Sequence, residues 1–468
     1  MTDITTTAGE VQATSEASES YGLRTGVLGP IETLAQSVSA VAPSTSGSLT
    51  IPLVFALAGN ATWFVYLMAT AATLLVGFCI SRFARLSASP GSLYSYTADT
   101  LPPFFGVIAG WGLLLAYVGT GASVAGGALY YTNLFTLQFL HWTPPALLTL
   151  AITCGIAGFI AYRDVKLSAE LMLWIEIGSV SLILIVLAVM AVHFGMRFDM
   201  DQLHLKRVSF SALGPALVLA MFSFVGFESA TTLGSEARNP LHTIPRAVLQ
   251  CAILAGAFFM LSSYVEVLGF RGESGALSQS TSFLHHLAEK EGIAPLGVAI
   301  DLGALVSMFA CVLACTTASA RVLMRMAHGG LLPKVFERTS AKHATPAQGI
   351  VLSVLLMFGA TAAMQMRAFT GSDMYDLIGS LAVFGFLTAY ALVALALPFA
   401  RRASGQHSVA VTSVSILTVL VVVMIAVFDV RSTPDANHAA IPYIYLVYIG
   451  AGVAWYAVRR RLTVITAG

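Results

Sequence analysis

Residues 43–48 read Pro-Ser-Thr-Ser-Gly-Ser, and residues 223–228 read Ser-Phe-Val-Gly-Phe-Glu. Each stretch interrupts a hydrophobic segment, the first at about residues 26–58 and the second at about 209–236. Inside a bilayer an unpaired backbone group costs several kcal/mol, so a helix is broken there only where protein or ligand satisfies the freed groups. The second interrupted segment is the fifth after the first, so the two cross the membrane in opposite directions. This pattern is typical of an inverted-repeat transporter with its substrate at the midplane.

The composition is that of a polytopic membrane protein. Hydrophobic residues make up 57% of the chain and charged residues only 10%, with a mean hydropathy of +0.81. The formal net charge of +1 gives no indication of a nucleic-acid partner. The five cysteines lie in apolar segments without a Cys-x-x-Cys or Cys/His cluster. We therefore expect small buried thiols, and neither a metal site nor a cofactor.

Twelve segments are long and apolar enough to be considered as membrane spans, since a spanning helix needs about 20 apolar residues. They are 26–58, 62–82, 104–135, 144–162, 167–194, 209–236, 244–270, 296–325, 346–366, 374–398, 408–428 and 440–458. With this count, 17 of the 24 Lys and Arg residues fall on one side, which predicts cytoplasmic N- and C-termini. Residues 1–24 are expected to form a disordered cytoplasmic tail. Short interfacial helices are predicted at Ser92–Thr100 and Ser282–Glu291.

The two interruptions carry the chemistry expected of a substrate site. A half-helix that starts at Ser48 would expose backbone N–H groups and a partial positive charge, which suit a carboxylate; Pro52 fits its first turn. The second interruption would free carbonyl groups from Phe222 to Val225, which suit an ammonium group. Together the two ends describe a zwitterionic amino acid. The alternative is that both are kinks healed by neighbouring helices.

The candidate substrate-binding residues are Ser44, Thr45, Ser46, Gly47, Phe222, Ser223, Phe224, Val225 and Gly226. One of the three aromatic residues at the second interruption, Phe222, Phe224 or Phe227, could cover the substrate as a gate. The alternative for each is a place in the core or against lipid.

Buried acids and hydroxyls supply candidates for ion coupling. Glu176 lies near the middle of the fifth segment, where a carboxyl group can carry a proton; the alternative is a structural role. Glu228 follows the second interruption, where it fits a helix N-cap better than a proton relay. Ser179, Thr316 and Thr317 could instead surround Na⁺. The other acids considered lie near segment ends, where water can reach them: Glu32, Glu236, Glu266, Asp301, Asp373 and Asp376.

Several stretches resemble the amino acid–polyamine–organocation (APC) superfamily of permeases. The most specific are residues 222–230 (FSFVGFESA), 234–240 (GSEARNP) and 243–246 (TIPR). Residues 90–96 (PGSLYSY), residues 321–333 (RVLMRMAHGGLLP), Ala42-Pro43 and Leu57-Ala58-Gly59 are also similar to the family. The resemblance covers roughly residues 25–460.

The resemblance implies an all-α, leucine-transporter-like fold. Its core, residues 25–398, would be a five-plus-five inverted repeat with helices 1 and 6 broken at midplane, followed by two peripheral helices in 399–468. By position, Ser44 to Gly47 match the family's carboxylate-binding break, Ser223 to Gly226 match its carbonyl-lined break, and Phe222 matches the gating aromatic of the arginine/agmatine antiporter. Two features depart from the family. The first break is not of the usual G-x-G-I form, and Ser179 stands where some proton-coupled members have a lysine.

These observations predict a secondary active transporter that moves an amino acid or related amine by alternating access. We expect proton-coupled uptake across the plasma membrane, or the inner membrane of a bacterium, with H⁺ rather than Na⁺ as the coupling ion. The alternatives are an amino acid or amine exchanger, or a polyamine carrier. From a different class, the alternatives are a non-transporting membrane sensor or a channel, with a membrane enzyme third. The partners are the small-molecule substrate and the lipid bilayer, without nucleic acid, and the sequence leaves the oligomeric state open.

Overall fold

A computed structural model describes residues 21–195, 198–206, 208–270, 282–431 and 436–467, so the predicted N-terminal tail lies mostly outside the described residues. The described chain is helical, and its one β-bridge joins Leu28 to Ala237. The α-helices are α1 Pro30–Val41, α2 Pro43–Thr45, α3 Ile51–Ala58, α4 Thr62–Ala84, α5 Ser92–Ala98, α6 Pro103–Leu140, α7 Ala146–Arg163, α8 Val165–His193, α9 Met200–Leu203, α10 Leu213–Phe222, α11 Pro240–Gly269, α12 Phe283–Lys290, α13 Ala294–His328, α14 Ala347–Gln365, α15 Gly371–Ala403, α16 Val409–Arg431 and α17 Ala436–Ala467. A π-helical turn spans Ser46–Thr50, and short 3₁₀ turns span Gly59–Ala61, Phe210–Ala212, Ser229–Leu233 and Lys334–Glu337.

Among the described residues, ten helical stretches are long and apolar enough to cross a membrane. The first of them, Pro30–Ala84, covers residues 30–58 of the first predicted segment and all of the second. The predicted segment 209–236 holds only one α-helix, α10, which has 10 residues and is too short to span alone. The chain is therefore a multi-pass helical membrane protein, and the count of twelve spans stays a prediction.

Local sequence explains where several helices begin. Thr370 and Asp373 form a capping box at the start of α15, because each side chain accepts a hydrogen bond from the other's backbone N–H. Pro103 and Pro240 open α6 and α11, where a proline lacks only an N–H group that has no helical partner. The short helices predicted around residues 92–100 and 282–291 are present as α5 and α12.

Helix α6 lies at the centre of the bundle and packs against α15 through glycines. In its most apolar stretch 83% of the residues are buried, against 22% for α7 and α17 and 28% for α14 and α16. A Cβ atom added to Gly371 would lie 2.5 Å from the Gly126 carbonyl oxygen, and one added to Gly385 would lie 2.4 Å from that of Gly112. These glycines let the two helices approach closely, as small residues do in membrane bundles.

Candidate functional site

The first interruption is a single left-handed residue followed by an immediate helix restart. Helix α1 ends at Val41, Ala42 has φ 47°, and Pro43 is the first residue of the next helical stretch. The prediction that this stretch begins at Ser48 was wrong. Proline lacks the N–H that the first helical residue cannot use, so Pro43 starts the turn, and residues 44–47 keep a helical backbone. The exposed N–H end therefore lies at Ser44 and Thr45.

Hydroxyl groups at this restart are buried without a hydrogen-bond partner among the residues that the structure describes. The Oγ atoms of Ser44 and Ser48 and the Oγ1 atom of Thr45 find no hydrogen-bond partner in the described part of the chain, although each residue is at most 2% exposed. A buried hydroxyl without a hydrogen-bond partner destabilises the folded protein by about 1–3 kcal/mol. A group of three is therefore unusual in a packed protein core. Together with the helix N-terminus, they form a buried set of donors of the kind that binds an anion.

The second interruption is a run of tight turns after α10. Backbone N–H groups here bond carbonyls three residues earlier: Val225 to Phe222 at 3.3 Å and Phe227 to Phe224 at 3.2 Å. Two of the four carbonyls that were expected to be free are therefore used. The carbonyls of Ser223 and Val225 have no backbone donor within the described residues, which leaves them as candidate acceptors for an ammonium group.

The second interruption packs directly on the end of α1, just before the left-handed residue Ala42. Gly226 has φ +90°, and a Cβ atom there would lie 2.8 Å from the Ala40 Cβ atom and 3.0 Å from the Ala40 carbonyl oxygen. Only glycine adopts this backbone conformation easily and allows such an approach. The Ala230 N–H also donates to Ser37 Oγ at 2.9 Å. Gly226 is thus the contact point that brings the end of α1 against the second interruption.

Gln36 fixes the same junction from α1. Its Nε2 atom donates to Ser229 Oγ at 2.8 Å and to the Ala314 carbonyl of α13 at 2.9 Å. One amide group therefore links α1, the 3₁₀ turn Ser229–Leu233 and α13. Gln36 was not among the predicted site residues. In the sequence it is marked only as a polar side chain within an apolar segment.

Of the three phenylalanines, Phe222 lines a cavity. Its ring meets Tyr375 edge-on at 5.5 Å between centroids, and Tyr375 shares a 3.0 Å hydrogen bond with Thr50. These side chains border a cavity of about 20 Å³, which holds roughly one water molecule. The cavity is therefore too small for an amino acid. Phe224 packs on Phe259, and Phe227 packs near Tyr390 in the core, so neither ring is placed as a gate.

Glu176 is buried between α8 and α13. It is 3% exposed, and its Oε1 atom accepts a 2.8 Å hydrogen bond from Ser307 Oγ. Its Oε2 atom has no partner among the described residues. A charged carboxylate is costly in such a place, whereas a carboxyl group that gains and loses a proton is a recognised use of a membrane-buried acid.

The three hydroxyl residues considered for Na⁺ do not come together. Ser179 Oγ donates to the Gly303 carbonyl at 2.9 Å, whereas Thr316 Oγ1 donates to the Val312 carbonyl and lies next to Met357 of α14. Gly303 and Thr316 are separated by about 20 Å along α13, at 1.5 Å per residue. Ser179 and Thr316 therefore cannot share one ion, although Thr317 Oγ1 is buried without a described partner.

Glu228 is held by two tyrosines rather than by a helix end. Its Oε1 atom accepts from Tyr117 at 2.9 Å and its Oε2 atom from Tyr390 at 2.7 Å. Although it occupies the N-cap position of Ser229–Leu233, its side chain makes no capping bond to a described residue. The expected cap is absent because donors from α6 and α15 reach both carboxylate oxygens.

Three acids that were expected to reach water are buried. Glu236 is 0% exposed and forms a two-pronged ion pair with Arg321, at 2.6 and 2.7 Å. Asp301 pairs with His285, and Glu266 is 2% exposed. Position near the end of an apolar segment did not reveal burial, because packing of the loops decides it.

The family model described as amino acid permease matches residues 46–462. The chain belongs to the amino acid permease family. Membership makes it a multi-pass membrane transporter in contact with the lipid bilayer and not an enzyme, as the sequence predicts.

Curated relatives of this permease are distant but extensive. It is 23% identical over 368 residues to the branched-chain amino acid permease BcaP of Bacillus subtilis, covering 74% of each chain. It is 24% identical over 316 residues to the D-serine/D-alanine/glycine transporter of Escherichia coli K12, covering 65% of each. It is 25% identical over 355 residues to the cationic amino acid transporter 4 of Mus musculus, covering 72% of this chain and 54% of the relative.

Solved structures support the fold of the permease. A crystal structure of a mutant manganese transporter from Eremococcus coleocola matches with a TM-score of 0.59 and 13% identity, covering 92% of this chain and 94% of that one. A second mutant of the same protein gives a TM-score of 0.60 at 12% identity. At such identity the likeness shows a shared transporter fold and carries no information on substrate.

Proposed function

We propose that this permease is a secondary active transporter that moves an amino acid, or a related amine, across the plasma membrane by alternating access. The observation that carries the proposal is the contact between Gly226 of the second interruption and Ala40 at the end of α1. The buried hydroxyls of the restart begin at Ser44, four residues after Ala40, and Gly226 belongs to the turns that follow Phe222, which supports a site between them.

The proposed architecture is a five-plus-five inverted repeat in residues 25–398, with the two interruptions at its midplane and α16 and α17 as peripheral helices. The distribution of Lys and Arg supports cytoplasmic N- and C-termini. In this orientation α12 and the start of α15 face the outside. If the chain is bacterial, the membrane is the inner membrane.

A zwitterionic amino acid fits the two interruptions better than a polycation. The N–H groups of Ser44 and Thr45 would receive the carboxylate, and the carbonyls of Ser223 and Val225 would receive the ammonium group. A polyamine would need acids facing the site, but both carboxylate oxygens of Glu228 are already bonded by tyrosines. The named relatives transport amino acids of several kinds, which supports the class without selecting the side chain.

Binding can be tested on purified protein by thermal unfolding with a panel of ligands. A ligand that binds only the folded state at 100 times its Kd stabilises it by about 2.7 kcal/mol. We expect stabilisation by one or more free amino acids, and not by their methyl esters or by the decarboxylated amines. Stabilisation by diamines and not by amino acids would favour a polyamine carrier. No stabilisation by any of these ligands would contradict the proposal.

We propose H⁺ as the coupling ion and Glu176 as its carrier. The half-satisfied carboxyl group of Glu176 and the separation of Ser179 from Thr316 support H⁺ over Na⁺. We expect Glu176→Gln to abolish accumulation driven by a proton gradient while substrate exchange continues. Glu170→Gln is the matched control, because Glu170 lies on the same helix and is half exposed. If Glu176→Gln keeps gradient-driven accumulation, Glu176 is structural, and an exchanger becomes the better description.

A further inference from the structure

Helix α12 covers the first interruption from the side that we propose to be external. Its buried face carries Leu284, Leu287 and Ala288, each at most 1% exposed. A Cβ atom added to Gly47 would lie 3.8 Å from the Leu284 Cδ1 atom, so this leucine rests on the π-helical turn Ser46–Thr50. Helix α12 therefore packs over the first interruption on this side.

A buried histidine and aspartate hold α12 against α13. The Nδ1 atom of His285 lies 2.5 Å from Asp301 Oδ2, and both side chains are only about a tenth exposed. Ser282 Oγ, just before α12, donates to the other oxygen of Asp301. The second ring nitrogen of His285, Nε2, lies 3.4 Å from Glu289 Oε1.

Each ring nitrogen of His285 thus faces a carboxylate. A neutral imidazole has a single N–H group, so one of its nitrogens would point a lone pair at a carboxylate oxygen; an imidazolium donates from both. The arrangement therefore fits a bound proton. Histidine is also the side chain whose ordinary titration falls within the physiological range of pH.

We propose that His285 and Asp301 form a proton-binding site that docks α12 over the first interruption, so that external acidity favours the closed position and external alkalinity releases it. The pH-dependent docking of α12 stands apart from the proposed function. Only the statement that docking closes a substrate site rests on that function. The sign follows from linkage: a proton held by the docked arrangement stabilises docking, and that stabilisation is lost as pH rises.

Other charged groups border the site. On α12 and just after it are Glu289, Lys290 and Glu291; Lys290 Nζ donates to the Gly269 carbonyl, at the end of α11. From α8, His193 Nδ1 lies 2.8 Å from Glu291 Oε2. From α6, the phenols Tyr130 and Tyr131 approach Asp301. His286, the next residue of α12, stacks on the Phe270 ring, so both His193 and His286 are competing histidines near α12.

The test measures the position of α12 without any substrate, so its failure is distinguishable from failure of the proposed function. Ala288→Cys places a thiol on the buried face of α12, and the protein in liposomes is treated with a membrane-impermeant maleimide at external pH of about 5.5 and about 8. Thr143→Cys, in the exposed loop after α6, corrects for the effect of pH on thiol reactivity. The chain without an added cysteine gives the background, because its five thiols are buried.

We expect the labelling rate of Ala288→Cys, relative to Thr143→Cys, to rise about fivefold or more between the two pH values. His285→Gln and Asp301→Asn, each added to Ala288→Cys, should remove this rise and leave the rate high at both pH values. His193→Gln and His286→Gln should each keep it. A rate that is independent of pH in the unmodified background, or a pH response lost in His193→Gln or His286→Gln and kept in His285→Gln, overturns the proposal. Leu284→Cys is the second reporter if Ala288→Cys does not fold.

Discussion

Replacement of Gly226 by alanine tests the contact on which the proposed site depends. An L-residue forced to φ +90° pays about 1–3 kcal/mol in backbone strain. The added Cβ would also lie 2.8 Å from the Ala40 Cβ, about 1 Å inside an ordinary carbon–carbon contact. Overpacking of this kind costs about 1–3 kcal/mol, so we expect a total loss of roughly 2–6 kcal/mol.

The same clash predicts a functional defect. Its relief pushes Gly226 away from α1 by an appreciable part of 1 Å, which can break a hydrogen bond to a charged group of the substrate; such a bond contributes about 1.5–3 kcal/mol, or about 10- to 100-fold in Kd. We therefore expect the Kd of the amino acid to rise by roughly 10- to 100-fold, with a lowered Tm. Both quantities are measured on purified protein, by ligand-dependent thermal unfolding and by direct binding of the labelled substrate.

Two controls separate strain from contact. Gly405 has φ +67° with no described heavy atom within 4 Å of an added Cβ, so Gly405→Ala should cost about 1 kcal/mol and leave binding unchanged. Adding Ala40→Gly to Gly226→Ala removes the 2.8 Å contact but leaves the carbonyl at 3.0 Å, so it should restore binding in part. If Gly226→Ala kept the wild-type Kd and Tm, the contact between Gly226 and Ala40 would not position the proposed site.

Three further predictions concern neighbouring residues. Glu228→Gln weakens two tyrosine hydrogen bonds and should lower stability by about 1–3 kcal/mol while proton coupling persists; lost coupling at normal Tm would make Glu228 the relay. Glu236→Gln leaves Arg321 buried without its charged partner and should lower the free energy of unfolding by about 3–5 kcal/mol in thermal unfolding. The double variant Glu236→Leu with Arg321→Met should lose less, and equal losses would argue against a buried ion pair. Gly47→Ala meets only ordinary contacts at 3.6 and 3.8 Å and should keep its free energy of unfolding within about 1 kcal/mol of wild type, so a large loss in unfolding assays would contradict the described packing.

The positions of the interruptions could be read from sequence because glycine, proline and polar residues are conspicuous in apolar segments. Their detailed geometry could not. Pro43 looks like a helix breaker, yet it starts the next turn, and the backbone of residues 44–50 remains helical. Which carbonyls are free at Ser223 and Val225 depends on 3₁₀ hydrogen bonds that local propensity does not specify.

Long-range partners account for the rest of what sequence reasoning missed. Glu228 was expected to cap a helix, but its donors Tyr117 and Tyr390 lie on helices far away in the chain. Glu236 was expected to reach water, but Arg321 encloses it. The segment pattern gives the approximate depth of a residue in the membrane, and it does not reveal which side chains the fold brings against it.

The most direct test of the transporter assignment is accumulation of labelled amino acids by purified protein in liposomes under an imposed inward proton gradient. We predict that at least one amino acid accumulates above its external concentration, and that collapse of the proton gradient releases it. Movement of substrate only against a counter-substrate would replace uptake by exchange. The transporter assignment would be contradicted if folded and correctly inserted protein moved none of a panel of amino acids, amines and diamines.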